Sequence, residues 1–327
     1  MREHVMRTFA LALCCLLTVA CGGDFSNDDL EFQNALPQRE DLAAMLPDSA
    51  ARAGQGALPR GQALRRAQVL GGTSELALQA YAAGTRFNTD VDGLLALLEV
   101  FRHAPPTTRE PDRRVWGPFP ADGHPGHELR FVMERQGSDF GYLLQVRPTG
   151  GGESAWWTYV PGTFKAGGGI RKGEGTLAMD LKEARARGFE PQEVNLVERL
   201  DIRYQTKALP TSVELLVSGL GGALPLARYA SRRTPEGLGE MSFRLPGEDL
   251  VPGGLLETLD ILARWTPDGR GVLVLNILDG DAKGAQYTEC WDSRTRITFM
   301  QRNWDFITPT EGDRRTCPDV SALDPKP

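Results

Sequence analysis

From Val115 to Asn303 apolar and polar residues alternate with period two, and turn residues interrupt the pattern at short intervals. Such a pattern buries one face of each segment and wets the other, which restricts this part of the chain to antiparallel sheet. Leu129, Phe131 and Met133 alternate with Glu128, Arg130 and Glu134, and after Gln136-Gly137-Ser138-Asp139 the residues Phe140, Tyr142, Leu144 and Val146 fall on one side. The same grammar recurs at Ala155 to Val160, Gly173 to Leu181, Leu200 to Tyr204, Val213 to Val217 and Met241 to Leu245. Thr266-Pro267-Asp268-Gly269 is the clearest turn, because Pro presets φ for the turn and Gly tolerates the left-handed region. It joins Leu259 to Trp265 with Val272 to Leu278, and a last pair runs from Tyr287 to Asp292 and from Arg296 to Asn303. About ten strands at hairpin spacing are expected, with helical pieces only near Leu181 to Gly188 and Leu250 to Leu256. A long meander leaves edges unless it closes or packs, so a barrel, half-barrel or sandwich is favoured over a flat sheet.

Ahead of the strands the period changes to that of a helix. Val91, Leu94, Leu95, Leu98 and Phe101 share one face until Pro105 and Pro106, and Thr89 with Asp92 has the spacing of a capping box. An earlier helix is expected over Gln62 to Ala83, weakened at Gly71 and Gly72, with Leu64, Leu76, Leu78 and Tyr81 apolar. Residues 22–60 mix acidic residues with Pro37, Pro47, Pro59 and glycines, hold no sustained apolar period, and read as a mostly disordered tether.

The first 23 residues name a processing route. Arg2 and Arg7 precede an apolar run from Phe9 to Ala20, too short for a stable membrane span and the right length for a signal peptide. Leu17-Thr18-Val19-Ala20-Cys21 resembles the lipobox at which bacteria lipidate a cysteine and cleave before it, with Thr18 departing from the usual apolar residue. The resemblance implies that Cys21 is the mature N-terminus and carries acyl chains, and two or more chains make anchoring stable where one does not. Gly22, rather than Asp, follows the cysteine, which by the same resemblance favours the outer membrane. The whole is similar to uncharacterised secreted bacterial lipoproteins, and at the level of architecture to periplasmic lipoprotein-carrier folds, a likeness that carries no activity with it.

The expected organisation is α+β and predominantly β: a signal segment 1–20, a lipid-anchored tether 21–60, a helical arm 61–106, and an antiparallel β domain 107–327 with a tied C-terminal tail. The chain has 37 Lys plus Arg against 43 Asp plus Glu; without Arg2, Arg7 and Glu3 the balance is 35 against 42, which does not draw it to nucleic acid. Cys14 and Cys15 lie in the removed segment and Cys21 is acylated on this reading, so Cys290 and Cys317 remain to pair as one disulfide in an oxidising compartment.

Motifs that would carry chemistry fail individually. His124-Pro125-Gly126-His127 cannot offer helical ligand spacing, and the Asp279-Gly280-Asp281 run has Lys283 where a calcium loop needs an oxygen and Cys290 where it needs a bidentate Glu. In Gly167-Gly168-Gly169-Ile170-Arg171-Lys172-Gly173 the Lys precedes the last Gly and strand follows, unlike a phosphate loop. Val217-Ser218-Gly219 lacks the first glycine of a nucleophile elbow. No catalytic residue, cofactor or metal is therefore expected. Trp156-Trp157 sends adjacent indoles to opposite faces of a strand, and together with Leu94, Leu95, Leu98 and Phe101 these are the candidates for an apolar ligand or partner surface. Two function classes follow: a non-enzymatic envelope lipoprotein binding a hydrophobic ligand or lipid in its β-body under a helical lid, or an envelope scaffold that binds a protein partner and has a filled core. A wide apolar cavity would favour the first and a side-chain-filled interior the second.

Overall fold

The computed structural model describes residues 25–47, 69–190, 197–219, 225–251 and 253–324. Fifteen strands follow one another in spatial order as they do in sequence, each antiparallel to the next. They are β1 (Thr108–Glu110), β2 (Arg113–Pro120), β3 (His127–Gln136), β4 (Asp139–Pro148) and β5 (Trp157–Ala166). β6 (Gly173–Asp180), β7 (Val197–Gln205), β8 (Thr211–Gly219), β9 (Pro225–Arg233) and β10 (Gly239–Glu248) continue the meander. β11 (Glu257–Trp265), β12 (Gly271–Ile277), β13 (Gln286–Trp291), β14 (Ile297–Arg302) and β15 (Thr310–Gly312) complete it. The sheet does not close. The barrel among the expected alternatives is therefore not formed, and an open, half-barrel-like sheet takes its place. Both edges, β1 and β15, are three residues long and lack buried side chains, which leaves little template for a foreign strand.

Period two sets the register as expected. Along β11 and β12 every second residue is buried. Several glycines on the buried face lie directly opposite an aromatic residue: Gly162 with Tyr142, Gly175 with Tyr204, Gly239 with Trp265, and Gly271 with Trp291. A Cβ at any of these glycines would collide with the partner ring, so the pairs fix register by ring-over-glycine packing. The strand count exceeds the expected ten because short or bulged segments, such as β1, β9 and β15, hold too few apolar residues to show a period. The described residues between Leu250 and Leu256 are loop, not helix, whereas α4 (Leu181–Ala186) forms where helix was expected, with Asp180 accepting the Glu183 N–H.

The helical arm differs from its expected form. One helix, α3 (Glu75–His103), runs without a break, and Ser74 caps it by accepting the Ala77 N–H at 2.9 Å. Thr89 is not a cap; its hydroxyl donates to the Thr85 carbonyl inside the helix, the usual alternative for a mid-helix threonine. Gly71 and Gly72 belong to a turn that docks on β14 through Ile297, and Gln62 to Gln68 lie outside the described residues. At about 1.5 Å per residue α3 is roughly 43 Å long. It crosses the strands, from the β13–β14 turn, where the Ser74 N–H meets the Thr295 carbonyl at 2.7 Å, to β2 and β3, where Trp116 Nε1 donates to the Ala104 carbonyl and Phe101 stacks on Phe131.

The tether reading is corrected over residues 25–47. α1 (Asn27–Asn34) opens with a capping box in which Ser26 and Asp29 bond each other's backbone N–H, and α2 (Arg39–Leu42) follows. Phe32, Leu36 and Leu42 are fully buried. Three large apolar anchors spread over eleven positions, helped by Ala35, Ala43 and Ala44, are too sparse for a periodic signal, and Asp28, Asp29 and Glu31 among the acidic residues that suggested disorder are ion-pair partners of the sheet. Asp29 is bonded by Arg114 Nε at 2.6 Å and Arg109 Nε at 3.0 Å, and Arg135 reaches Asp28. Burial alone would raise the Asp29 pKa, but the Ser26 amide, Arg114 and Arg109 outweigh it and hold the carboxyl well below the usual carboxylate range. Residues 21–24 and 48–60 of the expected tether lie outside the described residues.

Cys290 and Cys317 are joined, as expected, with Cα atoms 5.3 Å apart. The bridge lies on the polar face of β13 and ties down a tail in which Val320 and Leu323 are buried. Chain-entropy arithmetic for the 28-residue loop gives roughly 3.5 kcal/mol, an upper guide. Cys317→Ser is expected to lower the melting temperature by several degrees and admit protease between Thr308 and Asp313. Two reactive thiols in denatured, unreduced wild-type protein would refute the pairing.

Candidate functional site

The expected ligand seat is the apolar sheet face beneath α3, and side chains fill it. Leu94, Leu95, Leu98 and Phe101 all point into the sheet and are buried, together with Leu76, Tyr81, Phe87 and Val91 from the same helix. Tyr81 stands edge-on to both Trp265 and Trp291, and its hydroxyl donates to the Gly269 carbonyl at 3.1 Å while accepting from Trp291 Nε1 at 3.1 Å. Phe32 from α1 lies edge-on to Phe140 with the guanidinium groups of Arg114 and Arg135 over its ring. The two tryptophans do part to opposite faces. Trp157 is buried against Tyr159 and Phe189, whereas Trp156 lies on the polar face between Arg130 and Arg147, each 4.4 Å from its ring. The six candidate residues therefore do not form one exposed apolar surface; five are consumed by the fold and Trp156 is clamped between cations.

His124 and His127 both pack against Phe189, at 4.1 and 5.4 Å between ring centroids, so their turn closes one end of the apolar face. Among the described residues no cluster of His, Cys, Asp and Glu could hold a metal ion.

A buried polar group lies under the start of α3. Glu289, on β13, is fully buried; it accepts a hydrogen bond from the Ser74 hydroxyl and another from Tyr287 at 2.8 Å. Burial pushes its pKa up to about 7, against the lowering effect of the Ser74 and Tyr287 donors. The turn that receives α3 is itself strained. Thr295 has φ 60, which a β-branched residue rarely adopts, and Asp292 holds it there by accepting the Arg294 and Arg296 N–H groups.

The opposite, polar face carries a groove of about 1130 Å³ lined by strands β3 to β11. Its charges are arranged in pairs: Arg228 with Glu214, Arg244 with Asp260, and Glu240 between Arg232 and Arg264 at 2.6 and 2.7 Å. The groove is a surface for polar contact, with Glu240 the only one of these carboxylates that is buried.

No family model, curated protein or solved structure matches this chain.

Proposed function

We propose that this protein is a membrane-anchored envelope lipoprotein that acts as a non-catalytic interaction scaffold, with Cys21 as its lipid-bearing N-terminus and the outer membrane as its site. The observation that carries the scaffold reading is the filled apolar face: Leu94, Leu98, Phe101, Phe32 and Leu36 occupy the volume that a hydrophobic ligand would need. The anchor is supported by the lipobox-like stretch ending in Cys21, and no described helix is long and apolar enough to cross a membrane. Membrane attachment on this reading comes from lipid.

Metabolic labelling with a tagged fatty acid tests the anchor. Wild-type protein should carry label and sediment with membranes, and Cys21→Ser should lose the label and be released or remain unprocessed; membrane association without label would end the lipoprotein reading. Native mass spectrometry of the extracted protein tests the scaffold separately. The expected mass is the acylated chain alone, whereas a stoichiometric co-isolated lipid would favour the hydrophobic-ligand class and require α3 to move aside.

A further inference from the structure

Exposed large apolar residues are not scattered evenly over the surface. Leu255 and Leu256 in the β10–β11 loop, Leu278 in the β12–β13 loop, and Trp304, Phe306 and Ile307 in the β14–β15 loop all lie on one rim of the sheet. Phe306 and Ile307 are 91 % and 95 % exposed. Isolated exposed apolar side chains are ordinary, but a row of them on adjoining loops marks a contact surface. These loops are also rigidly joined. The Leu255 N–H donates to Asp281 at 2.9 Å, Asn303 Nδ2 donates to the Gly284 carbonyl at 3.0 Å, and Asp305 accepts the N–H groups of Ile307 and Thr308 at 3.0 and 2.9 Å. These bonds hold the loops against one another, which reduces the entropy lost on binding.

Two observations select the occupant. The first is charge: Asp279, Asp281 and Asp305 lie in the loops that carry the row, with Lys283 the cation within them and Arg302 at the end of β14 beside Asp305. Asp281 and Asp305 accept hydrogen bonds from neutral amides, which leave their charge in place, and the Thr308 and Ile307 amides hold the Asp305 carboxyl below its ordinary range. An acidic border disfavours an anionic bilayer and suits a partner with basic residues around an apolar pocket. The second is the place where the described fold begins. The first described residue is Phe25, and α1 is fixed to Arg109, Arg114 and Arg135 at the rim of the β1–β2 and β3–β4 turns. Four steps of chain from Phe25 to Cys21 reach about 14 Å at most. A ten-residue strand such as β10 separates the two rims by roughly 33 Å, and the apolar row sits at the other side of the sheet as well.

We propose that this three-loop rim is a docking surface for an envelope protein that presents an apolar pocket edged by Arg or Lys, engaged on the side facing away from the anchoring membrane. Only the direction of engagement rests on lipidation at Cys21; the surface itself does not. The test places the photo-crosslinker p-benzoylphenylalanine at position 306 of the full-length protein in intact envelopes. One discrete heterologous adduct is expected, absent when the crosslinker replaces Ile170 at the opposite rim, which is 76 % exposed. In that background Ile307→Lys should reduce adduct yield at least tenfold and Ile307→Glu clearly less, because only the former repels a basic edge. Melting temperatures should stay unchanged at so exposed a site.

Equal losses from Lys and Glu, an adduct to a second copy or within the same chain, or no adduct would each overturn the proposal. So would binding of unacylated Cys21→Ser protein to phosphatidylethanolamine–phosphatidylglycerol vesicles that Phe306→Ser abolishes. If fatty-acid labelling of Cys21 fails while the sign-dependent adduct persists, the anchor falls and the docking surface stands.

Discussion

Leu98→Asp is expected to bring the whole domain close to unfolding, whereas Val100→Asp, two residues away on the same helix, leaves it nearly unchanged. Leu98 is fully buried and Val100 is 64 % exposed. Both substitutions place the same poor helix former inside α3, so the intrinsic helix penalty, at most about 0.7 kcal/mol, is common to them. At Leu98 the change also forfeits about 2 to 3 kcal/mol of apolar burial and leaves a carboxylate without a partner, which adds several kcal/mol more. The sum is a large part of the roughly 5 to 15 kcal/mol that keeps a domain folded. Urea unfolding should show the midpoint of Leu98→Asp collapsing with no stable β-body left behind, since α3 bonds to β2, β13 and the turns between. Matching midpoints for the two variants would mean that α3 does not pack as described. A Leu98→Asp protein whose sheet survives with α3 detached would restore the lid reading.

The contrast between those two residues also marks what was legible. The a/d-like spacing of Val91, Leu94, Leu98 and Phe101 revealed the buried face of α3, and period two in β11 and β12 revealed the register, because each signal repeats often enough to be recognised. The fold of residues 25–47 was not legible. Phe32, Leu36 and Leu42 are too few and too irregularly spaced to show a period, and Asp28 and Asp29 look like a solvated acidic run until Arg114 and Arg135, over 80 positions later, are brought beside them. The start of α3 was misplaced for a related reason: Thr89 and Asp92 satisfy the capping pattern, but the helix is already stabilised on both sides by tertiary packing.

The candidate surfaces divide in the same way. Cys290 and Cys317 were legible by elimination. The docking rim was not, since Trp304, Phe306 and Ile307 read as a short apolar run beside β14, and only their exposure separates them from core. A signal was nevertheless present: Asp305 interrupts the run and Pro309 follows it with turn chemistry, which argues for loop rather than strand. Apolar residues inside a turn have no sheet face to occupy and must be sought on the surface.

Glu289→Gln is expected to remove a pH dependence from folding and to stabilise the protein above neutrality. Glu289 sits at the N-terminus of a 29-residue helix, where the helix dipole and the Ser74 hydroxyl both favour a carboxylate. These terms are worth up to about 2 kcal/mol, less than the cost of an ion in a fully buried site, so burial wins and the pKa rises from 4.5 to about 7. The groups nearby offset it only in part: the Ser74 and Tyr287 donors lower the Glu289 pKa, Tyr287 is itself pushed up, first by burial and then by Glu289, and Arg302 is bonded to Glu311. Because the folded-state pKa lies above the unfolded one, the native state holds a proton that the unfolded state releases. The stability from that proton is fully present below about pH 4.5, falls as pH rises to about 7, and is absent above it. A shift of this size corresponds to roughly 3 kcal/mol across the window. Gln is neutral throughout, can still accept from Ser74, and meets Tyr287 with an amide once the phenol rotates to accept. Unfolding midpoints measured from pH 4 to pH 8 should therefore converge for the two proteins at the acid end and separate in favour of Glu289→Gln at the alkaline end. Parallel curves would show that Glu289 is charged in the folded protein at every pH tested, and the junction between Ser74 and β13 would then be an ion held by the helix dipole.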